Sequence, residues 1–300
     1  MVFSLLSSIF SNTPVILNES NTALNPSFNS SSATAPAADG GDISNAASFA
    51  KSLNQDIMRL YSKYLSSDGS HVDYAELSKS DEFHAFQEKT IQLRFCLLKD
   101  LSELERKALF LNLYNIIVIH AYCTIGVPSS LAARLKFYKT TGYMIENEFY
   151  SLDDIEHGIL RGNTKHPAVF VFSPQFSNKN DPRLKYTMEK DPRIHFALVC
   201  GAKSCPPIRI FSPSNLKFGL NAAAKNFLKN GGLRIENHDI YLSMIMKWYH
   251  DDFGKTDSEM LEYLKQFLAE EDKEKLEGLL KEGKFKLHYL KYDWSVNGKK

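Results

Sequence analysis

Asp191-Pro192-Arg193-Ile194-His195-Phe196-Ala197-Leu198-Val199-Cys200-Gly201-Ala202-Lys203-Ser204-Cys205-Pro206-Pro207 places a turn, an apolar run, a glycine stop and a double proline within seventeen residues. Asp-Pro opens it as a turn, because the proline ring pushes the residue before it out of the α region. Ile194 to Cys200 is then apolar except for His195, short, and bounded by breakers. That is the pattern of a buried strand. Gly201 stops it, and Pro206-Pro207 prevents a helix from starting directly behind. The expectation is a polar, cysteine-bearing loop leaving the end of a core strand, where open sheets tend to place their sites.

Around this stretch the composition is that of a globular chain, with 43% hydrophobic, 24% charged and 12% aromatic residues among 300. That length allows one large domain or two small ones. A net charge of +1 gives no electrostatic case for nucleic acid or an anionic membrane. No apolar run approaches the roughly 20 residues of a membrane helix. The four cysteines, Cys96, Cys123, Cys200 and Cys205, do not suggest a disulfide scaffold and fit a reducing, cytoplasmic setting. Met1 to Phe10 lacks the basic start of a secretory signal, and the triplets Asn18-Glu19-Ser20 and Asn29-Ser30-Ser31 are chance-level glycosylation acceptors.

Residues 1–45, rich in Ser, Asn, Ala and Pro, read as a disordered tail, and residues 46–300 as a single globular domain. Phe49, Leu53, Ile57, Leu60 and Tyr64 fall at helical spacing, and a second helix is expected over 81–93. Glu103 to Cys123 is the longest helical signal, apolar almost all round from Ala108 to Ala121, and so a central buried helix. Asn112 and Asn115 interrupt it on one face. Buried amides must be hydrogen-bonded, either bracing neighbouring loop backbone or orienting a catalytic group, and bracing is the expected role. Hairpins are expected over 143–152 and 233–242, a short helix capped by Asp153 over 154–160, and a helix from Ser212-Pro213. Phe285 to Tyr292 alternates like a strand, and Asp-Pro-Arg occurs twice, at 181–183 and 191–193.

A thiolate at a strand end is a plausible nucleophile. Odd spacing on a regular strand puts His195 and Cys200 on opposite faces, so His195 would pair more easily with Cys205 on the returning loop. The alternative is that Cys200 is a small core residue. Glu156, His157 and Arg161 form a charged group beside apolar sequence, with a loop-holding ion pair as the expected role. Cys200-x4-Cys205 is too loose for a zinc knuckle and has no second ligand pair, so no metal is expected. With neither a Walker motif nor a dinucleotide fingerprint, no cofactor is expected.

Several of these stretches together resemble the family catalogued as domain of unknown function 547. They are Leu111-Asn112-Leu113-Tyr114-Asn115, the run from Ser151 to Arg161, the run from Asp191 to Gly201, Ser204-Cys205-Pro206-Pro207, and the terminal run from Tyr292 to Asn297. Their order and spacing agree with the family, most strongly over residues 95–230. The resemblance implies a fold more than an activity, and its fusions to redox-like, phospholipid-binding-type or coiled-coil modules imply a possible adaptor role. Plant forms of the motif often carry Asp or Ser at the place of Cys205. The resemblance therefore puts the shared polar positions at His195, Asn112, Asn115 and Glu156.

The expectation is an α+β domain with a small central, mostly antiparallel sheet wrapped by helices. Two functions stand side by side. One is a thiol-dependent hydrolase-like or transferase-like enzyme, with Cys205 or Cys200 as nucleophile, His195 as base, Asn112 or Asn115 as orienting amide and Glu156 beside them. The other is a non-enzymatic interaction module with protein partners, in which these polar motifs are structural. A sulfur about 3–4 Å from an imidazole nitrogen in an open cleft would favour the first.

Overall fold

The Glu103–Thr124 helix runs through the core of the protein, and its side chains from Ala108 to Tyr122 are all buried. In the computed structural model, which describes residues 13–19, 46–67, 71–167, 173–296 and 298, this helix starts at a reciprocal cap. Ser102 Oγ accepts from the Glu105 amide at 3.3 Å, and the Glu105 carboxylate accepts from the Ser102 amide at 2.8 Å. This satisfies two of the amides that a helix start leaves orphaned. The Ala46–Lys63 helix packs along it through Ala50, Leu53, Ile57 and Leu60, the apolar positions set by helical spacing.

The α+β class holds, and among the described residues the strands form two three-stranded sheets rather than one. The first joins β1 (Val15–Ile16), β2 (Thr141–Ile145) and β3 (Glu148–Ser151). The second joins β4 (Leu233–Glu236), β5 (Asp239–Ser243) and β6 (Lys286–Leu290). Each sheet has one antiparallel and one parallel pair, so neither is mostly antiparallel. The antiparallel pairs are the two expected hairpins. Glu146 and Asn147 turn the first with φ of 49° and 67°, the left-handed pair that matches the twist of a tight hairpin. The parallel partners are the strands that local sequence could not pair, because each arrives from a distant segment.

Most of the expected tail lies outside the described residues. Within it, residues 13–19 pack against the domain: β1 lies beside β2, and Asn18 is fully buried. Asn18 Nδ2 donates to the Met144 carbonyl at 2.9 Å, and its Oδ1 accepts from the Met144 amide at 2.8 Å. The side chain thus continues the ladder one step past the strand.

The expected strand Ile194–Cys200 is absent. Pro192–Phe196 is a tight helical turn, and a segment without regular secondary structure follows it. Proline is preorganised for the first position of such a turn. The Asp191 carboxylate caps it by accepting from the Arg193 amide at 3.2 Å. The run is apolar because helices cover it, and periodicity alone cannot separate that case from a strand. The opposite-faces argument for His195 and Cys200 therefore falls. The other Asp-Pro-Arg builds the same device: Asp181 caps the Pro182–Tyr186 turn, and in both copies the arginine folds back onto its aspartate.

Two other boundaries move. The helix expected from Ser212-Pro213 begins at Leu216, after a turn closed by Asn215 Oδ1 on the Ser212 amide. The helical segment Asp154–Leu160 is capped by Ser151 and Asp154 in exchange, not by Asp153. It is wound wide, with the Arg161 amide bonding five residues back to the Glu156 carbonyl. That leaves the Asp153 side chain for the cavity beneath.

Candidate functional site

The cysteine loop, the Asp153–Arg161 segment, the His195 turn and the Trp248–Phe253 region enclose a cavity of ≈ 340 Å³. Its wall is mostly aromatic and apolar, with titratable groups gathered in three places.

The first place is the loop itself. Tyr122 donates its hydroxyl to the Cys200 carbonyl at 2.7 Å. Gly201 then turns with φ of +81°, and a Cβ there would lie 2.5 Å from the Tyr122 ring. Both the left-handed backbone and the close aromatic require glycine. The Lys203 amide donates to the Ser295 carbonyl at 2.8 Å, and the Asp293 amide to Ser204 Oγ at 2.8 Å, so the C-terminal segment pins the loop. The Cys205 amide closes back on the Ala202 carbonyl at 2.9 Å. This return sets Cys205 Sγ 2.8 Å from Cys200 Sγ, with the Tyr292 hydroxyl at 3.3 Å and 3.6 Å from the two sulfurs. The thiols are inequivalent. A hydrogen bond from Cys205 lowers the Cys200 thiol to about 7; burial opposes this, while the Ala202 amide and the Tyr292 hydroxyl add to it. Burial and the neighbouring Cys200 push Cys205 well above the ordinary thiol range.

The second place is the buried charge cluster behind His195. His195 Nε2 meets Asp252 Oδ2 at 2.8 Å, and its ring stacks on Tyr249 with centroids 3.8 Å apart. Arg161 forks onto the same carboxylate at 2.6 Å and 3.1 Å and lies over the Tyr249 ring. Tyr249 in turn donates its hydroxyl to Glu156. Burial holds His195 below the ordinary imidazole value, although Asp252 pulls it upward. Burial alone would raise Asp252, but the hydrogen bonds from His195 and Arg161 outweigh it and hold the carboxyl low.

The third place is Asp153, His157 and His166, whose donor atoms lie within 4.8 Å of one another. Two imidazoles and one carboxylate are a familiar donor set for a divalent transition metal. Arg161 Nη1 donates to His157 Nδ1 at 2.8 Å, however, and a guanidinium can only donate. The proton of neutral His157 therefore sits on Nε2, the nitrogen nearer Asp153. A metal-bound histidine needs the reverse, with the outer nitrogen donating. The three residues therefore form a polar cluster in which burial holds both imidazoles below their ordinary value and pushes Asp153 well above the usual carboxylate range.

Of the residues singled out in the sequence, His195, Cys200, Cys205 and Glu156 line this cavity; Asn112 and Asn115 do not. Both amides brace loop backbone. Asn112 holds the Phe211 amide and carbonyl at 2.9 Å and 2.8 Å. Asn115 holds the Val199 amide at 2.9 Å and the Ala197 carbonyl at 3.1 Å, and so stands in for the missing ladder just before Cys200. Among the described residues, the hydrogen bonds of both thiols go to each other and to tyrosine hydroxyls, with no imidazole among the partners. Asp252, Tyr249 and Asp153 went unseen as site residues. Asp252 sits in an ordinary His-Asp-Asp-Phe helical run, and nothing local marks it.

Residues 98–228 match the family model described as "Protein of unknown function, DUF547". No curated protein and no solved structure matches the chain. The matched span contains Asn112, Asn115, Glu156, Arg161, His195 and both loop cysteines, while Tyr249 and Tyr292, which line the cavity, and Asp252, which holds His195 from behind, follow it in sequence. Over residues 98–228 the chain thus matches the model of the family to which its motifs pointed, DUF547.

Proposed function

We propose that this chain is a thiol-dependent enzyme of hydrolase-like or transferase-like type, with Cys200 as its nucleophile. The observation that carries this reading is the placement of a thiol lowered to about 7 on the wall of a cavity that also holds His195 and Glu156. A thiol with that value is substantially thiolate at neutral pH, the form that attacks an electrophilic centre. His195, neutral through burial and oriented by Asp252, lines the same cavity without touching either thiol, and in this reading it acts as acid–base group toward the bound substrate rather than as the base that activates Cys200. The aromatic wall, with Trp248, Tyr249 and Trp294, suits a substrate carrying an apolar portion. Asn115 is a positioning residue, acting through the backbone that carries Cys200.

The test is profiling of the full chain with a cysteine-reactive probe at neutral pH, with modified peptides identified by mass. Cys200 is expected to label ahead of Cys96 and Cys123, and Cys200→Ser to abolish that signal. A non-enzymatic interaction module is the second reading. It is favoured by the use of both buried amides for backbone bracing and of His195 for an internal carboxylate. Slow labelling of Cys200, together with unfolding of His195→Ala, would support the module and sink the enzyme.

A further inference from the structure

We propose that Cys200 and Cys205 work as a dithiol pair that reduces small organic disulfides, Cys200 attacking and Cys205 resolving. This deepens the reading of Cys200 as nucleophile and rests on it. Nucleophilic hydrolysis or transfer needs one thiol; the structure holds two in direct contact, with sulfurs 2.8 Å apart on the cavity side of a pinned loop. The pinning is specific. The Cys200 carbonyl is held by Tyr122, the Cys205 amide by the Ala202 carbonyl, and the residues between them by the 293–295 segment. Neither sulfur can move far from the other without breaking these bonds, so closure to a disulfide needs little rearrangement. The two thiols are also ranked. Cys200 is the one held near neutrality, where an attacking thiol is most effective, and Cys205 keeps its proton until a partner appears beside it. The Tyr292 hydroxyl reaches both sulfurs and can donate to whichever is anionic. Apart from one another, the pair has no nearby metal-ligand set that would explain two adjacent thiols: the only His/Cys/Asp/Glu group of that geometry among the described residues excludes both.

The chemistry balances as follows. The Cys200 thiolate attacks one sulfur of a disulfide R–S–S–R′, forms a Cys200–S–S–R bond and expels R′–S⁻. That thiolate takes the Cys205 proton. Cys205 then attacks the Cys200 sulfur, expels R–S⁻ and closes the Cys200–Cys205 disulfide. The substrate gains two electrons and the pair loses two, and a low-molecular-weight thiol returns the pair to the dithiol by the reverse exchange. The aromatic cavity favours substrates whose R groups are aromatic or otherwise apolar.

The experiment uses the full chain, reduced and freed of reductant, with an aromatic disulfide reagent and, separately, glutathione disulfide. The wild type is expected to release two thiol equivalents from the pair and to lose the mass of two hydrogens, with no retained adduct at either loop cysteine by peptide mass mapping. Cys205→Ser is expected to release one equivalent and retain a mixed disulfide at Cys200; Cys205→Ala serves if the serine variant fails to fold. A wild type that keeps a stable mixed disulfide at Cys200 would overturn the dithiol proposal while leaving the Cys200 nucleophile standing. A folded wild type in which neither loop cysteine reacts would overturn both.

Discussion

His195 and Asp252 share a buried hydrogen bond, 2.8 Å between Nε2 and Oδ2, and Arg161 closes the other face of the same carboxylate. One acid therefore neutralises a buried guanidinium and orients an imidazole, with Lys190 at 3.3 Å on the outside. Removing the charge leaves Arg161 buried without its counter-ion. Asp252→Asn is expected to cost about 3–5 kcal/mol in denaturant unfolding, the range for breaking a buried pair from one side. A loss below about 1 kcal/mol would show that the cluster is open to water.

The inequality of the loop thiols has a pH signature. The alkylation rate of Cys200 is expected to rise through pH about 7 and level off above it, because only the thiolate reacts. Cys205→Ser keeps a hydroxyl donor in place of the thiol and should leave the profile nearly unmoved. Cys205→Ala removes the donor that is the main cause of the lowering, so its midpoint should shift upward. Coincident profiles for wild type and Cys205→Ala would sink this account.

Buried imidazoles set the acid limb of stability. Burial lowers His120 to about 3, and His157, His166 and His195 are also held below the ordinary value. In the window below the unfolded imidazole value of about 6.5, the unfolded chain binds protons that the folded chain refuses, so stability falls as pH falls. Asp153, raised by burial, acts in the opposite sense: its neutral form favours the fold at low pH and its contribution is lost as pH rises. It is one group against four. For His120 alone the loss amounts to about 2–5 kcal/mol once the pH is below 3. Unfolding midpoints measured from neutral to mildly acid pH should fall, and His120→Gln should remove about one proton from the slope.

Asn18 predicts that the docked segment matters to the fold. Its amide pairs with both backbone groups of Met144 and also donates to the Thr90 carbonyl at 3.2 Å. Asn18→Ala leaves these buried groups without their partner and should cost about 1–3 kcal/mol by thermal or denaturant unfolding. An unchanged midpoint would mean that residues 13–19 do not hold the sheet. Residues 1–12, the start of the stretch read from the sequence as a disordered tail over 1–45, lie outside the described residues.

Local pattern was enough for some elements. The central helix could be read because an apolar run of that length, preceded by Ser102 and Glu105, has one stable solution. Both hairpins could be read because Glu146-Asn147 and Asn237-His238 sit between alternating runs, with positive φ at three of these four turn residues. Of the four polar positions that the family resemblance marked, His195 and Glu156 line the cavity, and the thiol reading of the loop added Cys200 and Cys205. What local pattern could not decide was anything that depends on a partner far along the chain. Ile194–Cys200 is equally apolar as a strand or as a segment buried under helices, and the choice lay with Asn115, more than eighty residues away, whose amide replaced the ladder.

The sequence by itself determined the α+β class, the central helix, the hairpins and the presence of a polar loop bearing Cys200 and Cys205, because each follows from short-range periodicity and turn chemistry. Only the tertiary structure decided that His195 turns to Asp252, that Asn112 and Asn115 brace backbone, and that Asp153 faces the cavity. The physical reason is common to all three. A buried polar group must find a partner, and which partner is within reach is settled by how distant segments pack, not by the residues beside it.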